Sequence, residues 1–278
     1  MAALTPMMAQ YMEVKNQYKD CILFYRLGDF YEMFFDDALT ASRELEITLT
    51  GRDCGQEERA PMCGVPYHAC DIYINKLIEK GYKVAICEQM EDPKLAKGLV
   101  KREVIRIVTP GTNMSQAILD ETRNNYLMCI FGCNEEYGLA VCDITTGEFR
   151  SCHVSSTAKL YDEINKYSPT EIIGNGAFLS CDLNFDYMKE KMKITISEAP
   201  SHYFNDDTCE DFIKRQFKVG SIDGLGIEDD QEDILISVGA LLQYLHETQK
   251  NSLDHINRMD VYSIEDYMII DSSSRRNL

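Results

Sequence analysis

The sequence predicts an α/β protein built from two successive domains. Its 278 residues suffice for two domains of roughly 100–200 residues each. Hydrophobic residues make up 45% and charged residues 27%, which indicates a chain that folds around buried cores. Helix-type and strand-type patterns alternate along both halves, and a stretch rich in turn residues separates them. We therefore predict domains at 1–108 and 122–250, a linker at 109–121, and the start of a truncated further domain at 251–278.

A tight hairpin is predicted near the N-terminus. The segments 21–27 and 30–34 are rich in aromatic and branched residues, which favours strands. Gly28-Asp29 between them is typical of a two-residue type II′ turn, because glycine accepts the positive φ that its first central position requires. Since alternate residues of a strand share a face, Phe30 and Glu32 are expected to point to the same side.

The other elements follow from helix caps, hydrophobic periodicity and turn residues. In the first half we expect helices from Thr5-Pro6 onward, from Asp36 to about Glu46 and over 69–80, strands over 82–87 and 104–108, and loops over 51–59 and 62–68. In the second half we expect a three-stranded meander over 126–132, 139–144 and 148–154, strand signals near Ile173 and at 194–196, a helix over 231–248, and an unfinished helix from 267.

The charge of the chain argues against a strong electrostatic grip on DNA. Its formal net charge is −18, whereas affinity for DNA depends largely on neutralising phosphates with Lys and Arg. Residues 1–110 hold 14 basic and 17 acidic side chains, a net of −3, and residues 111–278 hold 14 and 29, a net of −15. Only the first half is therefore suited to carry local basic patches, and tight binding would need help from elsewhere.

Composition also indicates a cytoplasmic protein. No apolar run approaches the roughly 18–20 residues that span a bilayer, and the N-terminus lacks the basic and apolar regions of a signal peptide. The 11 cysteines form no CxxC pair and show no zinc-ligand spacing. We interpret most of them as small, reduced, buried hydrophobic residues.

Several ordered motifs carry a family resemblance that spans essentially the whole chain. They are GDFYE (28–32), PMCGVPYH (61–68), VAICEQ (84–89), RIVTPGT (106–112), DITTG (143–147) and DSSSRRNL (271–278). In this order they resemble the N-terminal part of the bacterial MutS family of DNA mismatch-repair proteins. The resemblance implies a mixed-sheet mismatch-binding domain followed by an RNase H-like connector domain, and then the start of the family's core domain.

The resemblance also implies which residues read the DNA. Phe30 would stack as a wedge at a mispaired base, and Glu32 would hydrogen-bond that base while the duplex kinks. An aromatic wedge that unstacks a base step costs a few kcal/mol, and a mispaired step resists it less than a paired one. Candidate supporting contacts with DNA lie in the turn, in the 62–68 segment and at two basic residues: Asp29, Arg52, Met62, Gly64, Pro66, His68 and Lys76. For the 62–68 segment the alternative is a role that only shapes the loop. Arg52 and Lys76 are candidate phosphate contacts, with solvated surface charge as the alternative.

Cofactors and partners follow from the same resemblance. No GxxxxGK[ST] phosphate loop occurs in the 278 residues, so we expect no catalytic residue, metal or cofactor in this chain. ATP and Mg²⁺ would belong to the full-length protein. The implied partners are mismatched double-stranded DNA, MutL and a second copy of the full-length protein, while the oligomeric state of this chain is left open.

Two alternative functions remain open at this point. The first is a metal-dependent nuclease of the RNase H type, in which Asp143 on a strand of the second domain would hold a catalytic metal ion. The second is a protein-interaction module in which the acidic second half carries the function. Loss of metal-dependent cleavage in Asp143→Asn would support the first, and mismatch binding that survives Phe30→Ala would support the second.

Overall fold

The computed structural model of the chain describes residues 4–91, 98–113, 124–228, 230–250 and 253–266. The chain divides into two compact units. The first consists of residues 1–118 and 248–251, and the second of residues 119–247 and 252–278. Each unit contains its own six-stranded mixed sheet together with helices. This arrangement confirms the predicted fold class. The predicted boundaries at 108, 122 and 250 stay predictions.

The first unit is a mixed sheet with helices on both faces. Its strand order is β3-β4-β2-β1-β5-β6, in which β1 and β5 run parallel and all other neighbours antiparallel. The elements in chain order are α1 (Pro6–Gln17), β1 (Cys21–Leu27), β2 (Phe30–Phe34), α2 (Phe35–Leu45), β3 (Thr50–Arg52), β4 (Ala60–Pro66), α3 (Cys70–Glu79), β5 (Lys83–Gln89) and β6 (Arg102–Val108).

Two apolar cores fix which side chains of this sheet face which helix. Alternate residues of β1 and β2, such as Phe24 and Tyr31, pack under α2 and α3. The intervening residues, such as Leu23 and Phe34, pack under α1. Since burial of apolar area is the main stabilising term, this alternation sets the register of the central strands and hence the side to which Phe30 points.

The segment 62–68 is mainly a strand, so the prediction of a loop there was wrong. Residues 62–66 belong to β4, which pairs antiparallel with β2 along its length and with β3 at its beginning. Pro66 occupies the last position of the strand, where proline is tolerated because little of the ladder remains to be broken. Gly64 and two prolines have low strand propensity, so the sequence pattern does not indicate a strand there, although its pairing with β2 is continuous.

The second unit is built on a meander that parallel strands extend on both sides. Its strand order is β11-β10-β7-β8-β9-β12, and β7, β8 and β9 are antiparallel to one another. The elements in chain order are β7 (Tyr126–Cys133), β8 (Glu136–Asp143), β9 (Glu148–Val154), α4 (Thr157–Tyr167), β10 (Glu171–Gly174), α5 (Gly176–Leu179), α6 (Phe185–Glu190), β11 (Thr195–Glu198), α7 (Asp206–Phe217), α8 (Glu232–Gln249) and β12 (Asp260–Val261). The predicted meander and the predicted long helix are confirmed.

Residues 253–266 pack on the second unit. Leu253 and Ile256 are buried in its core, and β12 pairs in parallel with β9. The predicted helix from 267 lies outside the described residues. Among the helices that the structure describes, none has the length and apolar character needed to cross a membrane.

Candidate nucleic-acid interface

The β1–β2 hairpin forms as predicted, with Gly28-Asp29 as its connection. Leu27 and Phe30 are paired across the turn. Gly28 has a φ of 60°, and Asp29 is not among the residues with positive φ. This combination fits the first central position of a type II′ turn, where a side chain would be strained. The glycine therefore lets the chain reverse within two residues and places Phe30 at the very start of β2.

Phe30 is an exposed aromatic ring on an otherwise well-packed strand. Its relative exposure is 47%, against 5% for Tyr31 and 0% for Met33. Tyr31 and Met33 are held in the core under α2 and α3, so the backbone beneath Phe30 is fixed. Strand β2 thus presents an exposed aromatic ring to solvent from a rigid support, which is the arrangement needed for stacking on a base.

Glu32 lies on the same face as Phe30 and is paired with Arg52. Its carboxylate forms an ion pair with the guanidinium of Arg52, which reaches across β4 from β3. The Glu32 side chain is 17% exposed and that of Arg52 is 39% exposed. The Arg52 guanidinium also lies 6.0 Å from the centre of the Phe34 ring. Arg52 therefore neutralises a carboxylate at this surface, a role that sequence reasoning did not assign to it.

Gly64 keeps the space beside Glu32 open. It is the residue of β4 opposite Glu32. A Cβ atom at position 64 would lie 3.3 Å from the Tyr31 carbonyl oxygen and 3.5 Å from Cγ of Glu32. Because the first distance is tighter than ordinary contacts, any side chain there would press on the strand that carries Phe30 and Glu32.

The register of β4 places three predicted residues beside this surface. Phe30 is opposite Pro66 and Phe34 is opposite Met62, with Gly64 between them. Met62 packs against the core under α1, whereas Pro66 lies at the end where Phe30 is exposed. The structure therefore brings Pro66, Gly64 and Arg52 together with the predicted pair, while Met62 belongs mostly to the core.

The remaining predicted contacts are placed differently. Lys76 is exposed on α3, which covers the opposite face of the sheet, so it does not join Phe30 and Glu32. His68 is exposed in the 3₁₀ turn after β4, where its ring meets that of Tyr67 edge-on at 5.8 Å. Asp29 is exposed in the hairpin turn. Of these three, Asp29 and His68 flank the Phe30 end of the hairpin.

Three side chains that the sequence did not single out surround the hairpin turn. Arg26 donates from Nε to the Gly28 carbonyl at 2.5 Å and stacks its guanidinium 3.7 Å from the centre of the Tyr67 ring. Glu88 accepts a hydrogen bond from the Tyr31 hydroxyl. Burial and then Glu88 raise the pKa of Tyr31 well above its ordinary value, so the hydroxyl stays a donor. Tyr67 and Glu88 lie in the PMCGVPYH and VAICEQ motifs, which is the only signal that could have found them.

Asp143 has a structural role in the second unit. It is fully buried, and its Oδ1 accepts hydrogen bonds from the Thr145 amide at 2.8 Å and the Thr145 hydroxyl at 2.6 Å. The Asn125 amide donates to Oδ2 at 3.3 Å. Within the described residues no group of three His, Cys, Asp or Glu side chains is placed to hold a metal ion. This geometry, an Asx turn that shapes the β8–β9 connection, does not favour the nuclease alternative.

The fold defines a tandem α/β protein with one mixed sheet in each domain. Comparison with protein families identifies the family of both domains. The family model described as MutS domain I matches residues 5–117, and that described as MutS domain II matches residues 125–257. The chain therefore belongs to the MutS family of DNA mismatch-repair proteins and contains its domains I and II in succession.

Individual relatives agree along the whole chain. It is 60% identical over 278 residues to the DNA mismatch repair protein MutS of Lachnoclostridium phytofermentans. It is 57% identical over 282 residues to the protein of that name from Acetivibrio thermocellus, and 53% identical over 282 residues to that from Ruminiclostridium cellulolyticum. All of this chain is covered in the three comparisons, but only 30%, 32% and 32% of the respective relatives. The chain thus spans about a third of their length.

Proposed function

We propose that this chain recognises mispaired bases in double-stranded DNA, with Phe30 as the wedge and Glu32 as the hydrogen-bond acceptor. The observation that carries the proposal is the exposure of Phe30 on a strand whose neighbouring side chains are buried, with Glu32 two residues farther along the same face. Residues two apart in a strand are separated by roughly 6.6–7 Å, so the carboxylate lies within reach of the base on which the ring stacks.

Recognition of this kind reads how easily the duplex deforms. Inserting a ring into a base step from the minor groove unstacks the step and bends the duplex at a cost of a few kcal/mol. A mispaired base has already lost part of its pairing and stacking, so the cost is smaller there. The protein therefore selects the defect without reading the surrounding sequence.

Arg52 makes a carboxylate tolerable at a DNA surface. An unpaired Glu32 would be repelled by the phosphates. The ion pair with Arg52 neutralises it in the free protein, and the exposed part of Arg52 remains near the duplex. When Glu32 accepts a hydrogen bond from a base edge, Arg52 stays beside it as a compensating charge.

The rest of the proposed function concerns the full-length protein. There, the second unit relays the DNA-bound state to an ATPase that uses ATP and Mg²⁺, and it engages MutL. The full-length protein acts as a homodimer in the cytoplasm. This part of the proposal rests on the family membership of both units alone.

Phe30→Ala tests the proposal in a full-length MutS protein that carries this sequence. Binding to a duplex with one G·T mismatch and to its matched twin is compared at one salt concentration by fluorescence anisotropy. We expect the variant to lose discrimination and to keep weak binding to matched DNA, because without the wedge the base step is not unstacked and Glu32 has no displaced base to contact.

Leu39→Ala is the matched control for this test. Leu39 is similarly exposed, at 46%, but lies on α2 over the opposite face of the sheet. The Leu39→Ala variant should discriminate between the mismatched and matched duplexes as the parent does. Discrimination that survives Phe30→Ala would show that the mismatch is read elsewhere.

A further inference from the structure

We infer that Arg26, Tyr67 and Glu88 form a bracket that holds the β1–β2 turn and thereby positions Phe30. The inference rests on the proposed function, because it concerns how the wedge is presented. None of the three residues needs to touch the mispaired base in this role. They act through the turn and through Tyr31, so they are positioning residues.

Both carbonyl oxygens of the two-residue turn are held from outside it. Nε of Arg26 donates to the Gly28 carbonyl at 2.5 Å, and the Tyr67 amide donates to the Asp29 carbonyl at 3.0 Å. The two donors come from different elements, the end of β1 and the 3₁₀ turn after β4. Because the carbonyl of each turn residue accepts a hydrogen bond, the two-residue connection has little freedom to change its backbone conformation.

The two donors are also tied to each other. The Arg26 guanidinium lies 3.7 Å from the centre of the Tyr67 ring, which is close stacking. Tyr67 is 42% exposed, so this contact lies at the surface beside the hairpin tip. Lysine could replace the charge of Arg26 but neither its planar stacking nor its Nε geometry.

Glu88 anchors the bracket to the body of the sheet. Its Oε1 accepts a hydrogen bond from the Tyr31 hydroxyl and lies 3.5 Å from Nη1 of Arg26. Tyr31 follows Phe30 directly and points to the opposite face of β2. The chain of contacts therefore fixes the backbone of Phe30 from the turn before it and from the residue after it.

A wedge requires this rigidity. Unstacking a base step costs a few kcal/mol, and a mispaired step costs less than an intact one. To use this difference, the ring must keep its position while it enters the step. If the turn could yield, the ring would rotate away from either step and the two duplexes would be bound more nearly alike. Loss of the bracket should therefore reduce discrimination with little effect on folding.

Arg26→Lys in the full-length protein tests the bracket, with Arg43→Lys as the matched control. Arg43 lies on α2, its side chain is 71% exposed, and its partner is the adjacent Glu44. We expect Arg26→Lys to lower the ratio of matched to G·T dissociation constants by about tenfold. Fluorescence of a 2-aminopurine next to the mismatch, which reports unstacking, should fall in parallel, while the melting temperature stays close to that of the parent. Arg43→Lys should match the parent in all three.

Tyr67 provides a second variant, independent of any effect of Arg26 on folding. Tyr67→Phe keeps the stacked ring and should discriminate as the parent does. Tyr67→Leu keeps the backbone amide donor but loses the ring under Arg26, so it should discriminate less well. Since Arg26 and Tyr67 act as one unit, Arg26→Lys with Tyr67→Leu should lose no more than the larger single loss.

Phe30→Ala is measured alongside so that the two ideas fail separately. If Phe30→Ala abolishes discrimination while Arg26→Lys and Tyr67→Leu leave the ratio and the 2-aminopurine signal unchanged, the bracket is refuted and the wedge stands. If Phe30→Ala itself leaves discrimination intact, the proposed function is refuted and the bracket with it.

Discussion

At the scale of single residues, the most consequential contact is the ion pair of Glu32 and Arg52. Its side chains are partly exposed, so it contributes at most about 1 kcal/mol to stability. Its importance is electrostatic, because it places a neutralised carboxylate next to the exposed ring. The predicted role of Arg52 as a phosphate contact remains a prediction, and the structure adds that any such contact starts from a guanidinium already engaged by Glu32.

Arg52→Met in the full-length protein should weaken binding to matched and mismatched duplexes alike. The substitution leaves the Glu32 carboxylate without its partner beside the phosphates and removes one cation. We expect the dissociation constants to rise severalfold, corresponding to about 1 kcal/mol. Anisotropy titrations at fixed salt measure the change.

Adding Glu32→Gln to Arg52→Met isolates the cause. With the uncompensated carboxylate removed, binding to matched duplex should recover most of the loss. A double variant that binds matched DNA no better than Arg52→Met would contradict the idea that Arg52 serves mainly to neutralise Glu32.

At the scale of elements, a partly buried polar network joins α7 and α8 to the segment that follows them. Gln216 on α7 donates from Nε2 to the Leu253 and Ile256 carbonyls at 2.9 and 2.7 Å. Nε2 of His246, on α8, lies 3.1 Å from Oε1 of Gln216. Because Oε1 of Gln216 only accepts, the imidazole supplies the proton to this contact.

This network predicts a pH dependence for the second unit. Burial lowers the pKa of His246 below its ordinary value of 6.5, and the charge of Arg215 lowers it further. Between the lowered pKa and 6.5 the unfolded chain binds more protons than the folded one, so stability rises with pH in that window. The free energy of unfolding, from urea titrations, should therefore fall between pH 7 and pH 5.

His246→Gln separates this effect from the many carboxylates of the chain. The glutamine does not titrate, so the variant should lose less stability than the parent over the same pH range. Identical pH profiles for parent and variant would show that His246 contributes nothing to the dependence.

Sequence reasoning recovered elements whose signals are local. The hairpin follows from Gly28-Asp29 between two aromatic runs, and the shared face of Phe30 and Glu32 follows from the two-residue period of a strand. Strand β3 has three residues and β4 contains two prolines, so tertiary pairing decided their conformation against their propensities. The bracket around the turn joins Arg26 to residues 41 and 62 positions away, and no local pattern specifies such contacts.

At the scale of the molecule, the distribution of charge is the dominant feature. Of the net charge of −18, residues 111–278 contribute −15, from 14 basic and 29 acidic side chains. An acidic unit repels the phosphate backbone, whereas a role in contacts with other proteins is compatible with it. This asymmetry suits a division of labour in which only the first unit meets DNA.

This chain alone should therefore bind DNA weakly. At physiological salt we expect a dissociation constant for a G·T duplex in the range of non-specific binding, weaker than about 1 µM. Too few cations are available to release counterions from the duplex. Anisotropy titrations of the 278-residue chain would measure it, with the full-length protein as the positive control. A tight complex of the chain with mismatched duplex at that salt concentration would contradict the expectation.

The position of the hairpin within its sheet has a mechanical consequence. Strand β1 is flanked by β2 and β5, and β2 by β1 and β4, so neither is an edge strand. Central strands exchange their amide hydrogens only through openings that approach global unfolding. In the proposed complex, the elastic recoil of a bent duplex against Phe30 would thus be resisted by the cooperative stability of the sheet that holds both strands in its interior.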